Sequence, residues 1–204
     1  MAILLKNNMM FFHIPKTGGN WVTKVLKEND LIKKILPEKH DIPAIIRKKY
    51  PNIHPIKTFC FIRNPMSWYE SWFQYATMKR WRDWGRHKWH PCKKLNGLGD
   101  KAFNKFIENV IEKCPSYLSN LYELYINDCD FVGKQENLED DLKAILGKDI
   151  KLIDKVGVSP KLRIRWNKKS KDKIIKLEKD ILIKYYGHRK TKRVRATTTG
   201  MPNE

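Results

Sequence analysis

The stretch MMFFHIPKTGGNW, residues Met9–Trp21, decides how this chain is expected to fold. Its first six residues form an apolar run that stops at Pro15, which is the length and punctuation of a buried strand entering a loop. After the two glycines, Trp21, Val22, Val25 and Leu26 recur at helical spacing on one face. The stretch therefore predicts a strand, a tight loop and a helix, in that order.

The loop between this strand and helix is a candidate anion site. Unpaired backbone N–H groups and the positive end of the helix dipole converge at such a point. The order of residues differs from the common ATP loop, GxxxxGK[ST], because the lysine here precedes both glycines. A charged lysine, two glycines that permit close approach of the backbone, and neighbouring donors form the expected site: Lys16, Thr17, Gly18, Gly19, Asn20 and Trp21.

Two later segments repeat the pattern of a strand, a polar turn and a helix. Thr58–Ile62 is β-branched and aromatic, and it leads through Arg63-Asn64-Pro65 into a predicted helix over Trp68–Met78. A third strand is predicted near Asp130–Lys134, before a helix over Leu138–Leu146. Such units indicate an α/β fold with a mostly parallel central sheet flanked by helices, and with the anion site at the carboxyl ends of the strands. Further helices are predicted over Ile42–Tyr50, Ala102–Cys114, Tyr117–Ile126 and Ser170–Tyr186, the last with Ser170 as N-cap and Gly187 as its end.

The length and composition indicate one basic globular domain. The chain has 204 residues, 41% of them hydrophobic, and a net charge of +20. We expect a single domain over residues 1–190 and a disordered tail over residues 191–204. The segment Lys155–Arg195 carries 16 Lys and Arg against 3 Asp and Glu, which favours an anionic partner. No long apolar run, secretory signal or CxxC pair is present, so we expect a cytoplasmic protein with reduced cysteines and no metal.

The anion loop resembles the first signature of the sulfotransferase family, in the branch that contains the carbohydrate O-sulfotransferases. That signature is similar to HIPKTGGT, and His13–Asn20 matches it except for Asn20 in place of Thr. In that family the loop binds the 5′-phosphosulfate of 3′-phosphoadenosine 5′-phosphosulfate (PAPS). The resemblance therefore implies a P-loop-like sulfotransferase fold and a PAPS-dependent sulfotransferase, with Lys16 as a catalytic cation.

The second strand end resembles the family's 3′-phosphate signature, FxRNPxxRxxSxY. Phe61, Arg63 and Ser71 stand at the matching spacing, so the resemblance implies that Arg63 and Ser71 hold the 3′-phosphate. Trp68 replaces the second family arginine and Phe73 the tyrosine. The segment Asp130–Leu138 is similar to the family's strand followed by YENL, with Gln135 where tyrosine is usual.

An acceptor hydroxyl also needs a general base, for which histidine is the usual choice near neutral pH. In the carbohydrate branch the base lies between the two phosphate signatures, and Lys39-His40-Asp41 resembles the KH that often opens a helix there. His40 is therefore the first candidate, with His54 second and His13 third. An exposed residue with no chemical role is the alternative interpretation of His40.

The expected acceptor is a carbohydrate. The segment Lys79–Lys94 interleaves three tryptophans with seven cations, which suits the stacking of sugar rings and the attraction of an anionic glycan. A solvated loop whose tryptophans cover the core is an equally good interpretation. An inactive relative that binds PAPS without turnover stays open, and so do two other functions. One is a basic nucleic-acid-binding protein, and the other is a nucleotide kinase with an atypical phosphate loop.

Overall fold

The computed structural model of the protein describes residues 2–37, 40–79, 90–154 and 163–187. Within these ranges the chain forms five β-strands and eight α-helices. The strands are β1 (Ala2–Leu5), β2 (Met9–Phe12), β3 (Ile32–Ile35), β4 (Lys57–Ile62) and β5 (Phe131–Lys134). The helices are α1 (Gly19–Glu28), α2 (Pro43–Lys49), α3 (Pro65–Met78), α4 (Phe103–Lys113), α5 (Tyr117–Ile126), α6 (Leu138–Leu146), α7 (Lys168–Leu177) and α8 (Lys179–Tyr186).

The five strands form one mixed sheet in the order β3-β1-β2-β4-β5. The pairs β2–β4 and β4–β5 are parallel, whereas β1 is antiparallel to both of its neighbours. The expectation of a mostly parallel sheet is therefore wrong, although the α/β class is confirmed. The physical reason is a short hairpin between β1 and β2, since a tight turn reverses the chain and makes the pair antiparallel.

This hairpin and the edge strand β3 are the elements that the sequence patterns did not predict. The turn is closed by the Asn8 N–H, which donates to the Leu5 carbonyl at 3.0 Å, with Asn8 at a φ of 60°. Asparagine is among the residues that tolerate this conformation best. Strand β3 has the sequence IKKI and is largely exposed, as is common for an edge strand protected by lysines.

Alternate residues of the strands build two hydrophobic layers, one on each face of the sheet. Ile3, Phe11 and Phe61 pack with α1 and with Leu142 of α6. The opposite face packs against the larger group of helices, whose fully buried members include Trp68, Phe106 and Tyr122. Both faces of the sheet are therefore covered by helices.

The predicted helix Ser170–Tyr186 is interrupted. It forms two helices that meet at Glu178, where φ is −99° and ψ is 17°. The N-cap of α7 is Asn167, whose side chain accepts a hydrogen bond from the Ser170 N–H at 2.7 Å, so the prediction of Ser170 as N-cap is wrong. The interruption turns the fully buried Glu178 carboxylate toward the first turn of α5, and Gly187 follows the last helix as predicted.

Some predicted features lie outside the described residues. These are most of the segment Lys79–Lys94, the tail 191–204, and parts of the basic segment Lys155–Arg195. Among the residues that are described, none belongs to a helix long and apolar enough to cross a membrane.

Candidate functional site

The anion loop lies at the carboxyl end of β2, as predicted. It leaves the strand after Phe12 and turns through two residues with positive φ, Lys16 at 65° and Gly18 at 86°. The backbone N–H groups of Trp21 and Val22 both donate to the Gly18 carbonyl. The N–H groups of Gly19 and Asn20 therefore precede these first helical hydrogen bonds, at the positive end of α1.

The two glycines fit the loop for separate reasons. Gly18 has a φ that side chains with a Cβ rarely adopt, and an added Cβ there would lie 2.7 Å from Leu138 Cδ2. A Cβ on Gly19 would overlap the His13 imidazole. The loop is therefore packed against His13 on one side and against the start of α6 on the other.

Three predicted loop residues differ in how they are used. The Thr17 hydroxyl donates to the Ile14 carbonyl at 2.9 Å and is buried, so it closes the loop on itself. The Trp21 indole donates to the Ile153 carbonyl at 3.0 Å, and its backbone N–H belongs to the helix. Asn20 is exposed at the first turn of α1. Thr17 and Trp21 therefore hold the loop in place, whereas Asn20 is the one of these three that is exposed to solvent.

Lys16 is held over an aromatic face of α3. Its Nζ lies 4.3 Å from the centroid of the Tyr75 ring, a cation–π contact. Two turns earlier on the inner face of the same helix, the Trp68 indole donates to the Pro15 carbonyl at 2.8 Å. Helix α3 therefore fixes both the backbone before Lys16 and the direction of its ammonium group. Neither contact was predicted from the sequence, because the aromatic residues of α3 are typical of a core helix.

The two sequence motifs meet at the carboxyl ends of β2 and β4. Arg63 follows β4 directly, and its Nη1 lies 3.5 Å from the carbonyl oxygen of Lys16. The Arg63 backbone is fixed by one hydroxyl, since Tyr122 Oη donates to its carbonyl at 2.8 Å and accepts from its N–H at 3.0 Å. Burial lowers the pKa of the Arg63 guanidinium. The negative charge of the nearby Glu136 carboxylate raises this pKa and so opposes the effect of burial. Because the ordinary pKa of arginine lies far above neutral pH, the Arg63 side chain stays cationic.

The serine that contacts Arg63 is a different one from the serine predicted. Arg63 Nε donates to Ser67 Oγ at 3.0 Å, one helical turn before Ser71. Ser71 lies half-buried on α3, while the described hydrogen bonds of the guanidinium go to Ser67 and to the loop. Ser67 lies in the first turn of α3, four residues after Arg63. A serine at the start of a helix, close behind an arginine, is the sequence feature that could have indicated this contact.

A carboxylate beside Arg63 was also missed. Glu136 Oε1 accepts from the Asn64 N–H at 2.8 Å, and Oε2 accepts from the Tyr186 hydroxyl at 3.1 Å. Burial raises the pKa of Tyr186, and the Glu136 charge raises it further. The end of α8 is therefore tied to the same strand ends as the anion loop, through the segment that follows β5.

The three candidate histidines occupy very different places. His40 has a φ of 78°, its Nδ1 lies 2.9 Å from the His13 carbonyl oxygen, and its own carbonyl accepts from the Tyr125 hydroxyl. The His13 ring is buried, with its centroid 4.7 Å from that of His40. His54 is exposed near Asn8, at the amino-terminal ends of β2 and β4. His54 therefore lies at the opposite edge of the sheet from the anion loop.

A histidine that the sequence patterns did not single out completes this cluster. The centroid of the His90 ring lies 5.4 Å from that of His40, at an interplanar angle of 81°. His90 belongs to the segment Lys79–Lys94, which is rich in tryptophan and in Lys and Arg. Because that composition indicates a basic loop, the sequence did not mark His90 as a candidate general base. Within the described ranges, no group of three or more His, Cys, Asp and Glu residues is arranged to hold a metal ion.

No family model matches the chain, and neither the curated proteins nor the solved structures give a significant match to it.

Proposed function

We propose that the protein is a sulfotransferase that transfers a sulfuryl group from PAPS to an acceptor hydroxyl, on a carbohydrate. The observation that carries the proposal is the meeting of two motifs that are 47 residues apart, at the 3.5 Å approach of Arg63 to the Lys16 carbonyl. Within the α/β architecture, this proposal includes the finer assignment of a P-loop-like sulfotransferase fold.

The donor groups fit a nucleotide that carries phosphate at both ends. The N–H groups of Gly19 and Asn20 and the Lys16 ammonium suit the 5′-phosphosulfate, and the Arg63 guanidinium with Ser67 or Ser71 suits the 3′-phosphate. PAPS supplies an activated sulfuryl group on a phosphate leaving group. The negative charge of Glu136 partly offsets the positive charge of Arg63, so the site contains one carboxylate beside its two cationic side chains.

The chain's contribution to the reaction is charge stabilisation and proton transfer. Lys16 and the helix N–H groups face the oxygens on which negative charge grows as the leaving group departs. His40 takes the proton of the acceptor hydroxyl. Since a carbonyl oxygen only accepts, the contact with His13 requires the His40 proton on Nδ1, which makes Nε2 the basic nitrogen. Both Lys16 and His40 have positive φ, a strained conformation that tends to occur at functional sites.

Calorimetric titration with 3′-phosphoadenosine 5′-phosphate, without added metal, tests the nucleotide site. We expect micromolar binding to the wild type and a loss of roughly tenfold to a hundredfold in Arg63→Ala, since a hydrogen bond to a charged group contributes about 1.5–3 kcal/mol. Lys16→Ala is expected to weaken binding similarly. The matched controls are Lys24→Ala on the exposed face of α1 and Arg47→Ala, whose guanidinium pairs with Asp128 on the surface.

Two results would contradict the proposal. Failure of the wild-type protein to bind the nucleotide would contradict the proposed sulfotransferase function. Binding of ATP with Mg²⁺ instead would favour a kinase, and binding of nucleic acid would favour a nucleic-acid-binding protein. Equal losses in the site variants and in their surface controls would show that total charge, and not the loop and Arg63, attracts the nucleotide.

A further inference from the structure

The backbone of Arg63 and Asn64, at the end of β4, is hydrogen-bonded within the protein. The Tyr122 hydroxyl binds both the N–H and the carbonyl of Arg63. Glu136 Oε1 accepts from the Asn64 N–H at 2.8 Å, and the Asn64 carbonyl accepts from the Ser67 hydroxyl at 3.1 Å. The backbone of these two residues therefore offers an anion no unpaired N–H, in contrast to the anion loop.

The Ser67 hydroxyl takes part in two hydrogen bonds of opposite direction. It donates to the Asn64 carbonyl, and it accepts from Arg63 Nε at 3.0 Å. A serine hydroxyl has one hydrogen to donate, and an ionised phosphate only accepts hydrogen bonds. Ser67 could therefore donate to a phosphate only by giving up its bond to Asn64, so its contacts suit the orientation of Arg63 better than the binding of a ligand.

The contact with Ser67 also fixes which edge of the guanidinium can face a ligand. An arginine side chain has five N–H groups. Arg63 Nε uses its single N–H on Ser67, and one N–H of Nη1 lies toward the Lys16 carbonyl at 3.5 Å. The other three, one on Nη1 and two on Nη2, make no hydrogen bond within the described part of the chain. A side-on fork needs the Nε hydrogen, so the arrangement leaves the end-on fork of Nη1 and Nη2.

We propose that Arg63 holds the 3′-phosphate of PAPS end-on, through Nη1 and Nη2, and that Ser67 is a positioning residue that acts only through Arg63. This inference rests on the proposed sulfotransferase function. A terminal phosphate presents two unesterified oxygens to the two N–H groups of such a fork. Ser67 holds the guanidinium in the direction that makes this possible, and Tyr122 fixes the backbone from which the side chain leaves.

A comparison of two nucleotides isolates the phosphate in question. 3′-Phosphoadenosine 5′-phosphate carries it and adenosine 5′-phosphate lacks it, so the ratio of their calorimetric affinities measures this contact. We expect Ser67→Ala to lower the ratio about threefold to tenfold, as for one net hydrogen bond, with the affinity for adenosine 5′-phosphate unchanged. In an Arg63→Ala background the same substitution should leave the ratio unchanged, because Ser67 then has no group through which to act.

Two more variants test the fork and control for the loss of a hydroxyl. Arg63→Lys keeps the charge but removes the fork, so the ratio should fall nearly as far as in Arg63→Ala. Ser116→Ala is the matched control, since it removes a hydroxyl that donates to the Leu177 carbonyl at 3.0 Å, and both affinities should stay at their wild-type values.

The direction of Arg63 is measurable without any nucleotide. The Arg63 Nε–H signal is observable in ¹H–¹⁵N spectra of the full chain at pH 6 and is assigned through Arg63→Lys. Because Ser67 accepts from this group, we expect the signal to exchange with water about fivefold more slowly in the wild type than in Ser67→Ala.

The outcomes distinguish this inference from the proposed function. Equal losses from Ser67→Ala with and without Arg63 would show that Ser67 contacts the phosphate itself, which would overturn the inference. Full affinity in Arg63→Lys would do the same, as would an Nε–H exchange rate that Ser67→Ala leaves unchanged. A wild type that binds the two nucleotides equally would instead contradict the 3′-phosphate site, and with it the sulfotransferase proposal.

Discussion

Replacement of the buried Glu178 by glutamine is expected to destabilise the protein by about 2–3 kcal/mol. Glu178 Oε1 accepts from the Tyr69 hydroxyl at 2.7 Å and from the Leu118 N–H at 3.1 Å. Its Oε2 accepts from the N–H and the hydroxyl of Ser119, at 2.8 and 2.6 Å. The residue therefore caps the first turn of α5 from a distant part of the chain, where Ser116 directs its own hydroxyl to the Leu177 carbonyl.

The magnitude follows from the donors that glutamine leaves unmatched. Whichever oxygen becomes an NH₂ group, the neighbouring hydroxyl can reverse its role, but the backbone N–H of Leu118 or Ser119 cannot. One buried N–H without an acceptor costs about 1–3 kcal/mol. Loss of the negative charge at the N-terminus of α5 adds about 0.3–1 kcal/mol, while the smaller desolvation cost of a neutral side chain offsets part of the total.

Urea denaturation followed by tryptophan fluorescence measures this loss. Glu123→Gln is the matched control, because Glu123 lies on the exposed face of the same helix, and it should change the free energy of unfolding by less than about 0.5 kcal/mol. Equal stabilities of the Glu178 variant and the wild type, at unchanged denaturant slope, would refute the assignment of Glu178 as the cap of α5.

Three further expectations concern the loop, the sheet and the thiols. Gly19→Ala should cost about 1–3 kcal/mol in thermal unfolding, because the added Cβ overlaps the His13 ring, and an unchanged midpoint would mean that the ring moves aside freely. Hydrogen bonds from the Thr58 hydroxyl and N–H lower the folded-state pKa of Asp130, so the stability it contributes is complete above the ordinary aspartate pKa near 4 and is lost as pH falls through the lower folded value. Asp130→Asn should therefore be less stable than the wild type at pH 7 and equal to it in strong acid, and a pH-independent difference would contradict this linkage. Cys92, whose pKa is raised to about 12, should react with Ellman's reagent at pH 8 only after unfolding, and fast labelling would show that its burial is transient.

Several parts of the site were predictable because they depend on local sequence. The strand before Pro15, the loop and α1 follow from an apolar run, two glycines and a helical stripe, and the structure confirms their order. Arg63 at the end of β4 is predictable for the same reason. Its approach to the anion loop follows from the parallel pairing of β2 and β4, which aligns their carboxyl ends.

The missed residues depend on contacts between distant segments. Ser67 is the exception, since it stands only four residues after Arg63 and its contact depends on the direction in which the Arg63 side chain leaves the strand. Glu136 and His90 reach the site from segments far along the chain, and neither lies in a pattern that marks it as functional. The interruption between α7 and α8 likewise falls at Glu178, whose carboxylate accepts from the first turn of α5, and the helical pattern of residues 170–186 contains no sign of that distant contact.

The sequence by itself determined the α/β class, the order of strand, glycine loop and helix around Lys16, and the position of Arg63 directly after a strand, because each depends on neighbours a few residues away. Only the tertiary structure decided that β1 enters the sheet antiparallel, that Lys16 rests on the Tyr75 ring, and that His40 lies against His90. These features join residues that are far apart in the chain. Their energies come from packing and hydrogen bonds that form only when the whole sheet and its helices have assembled.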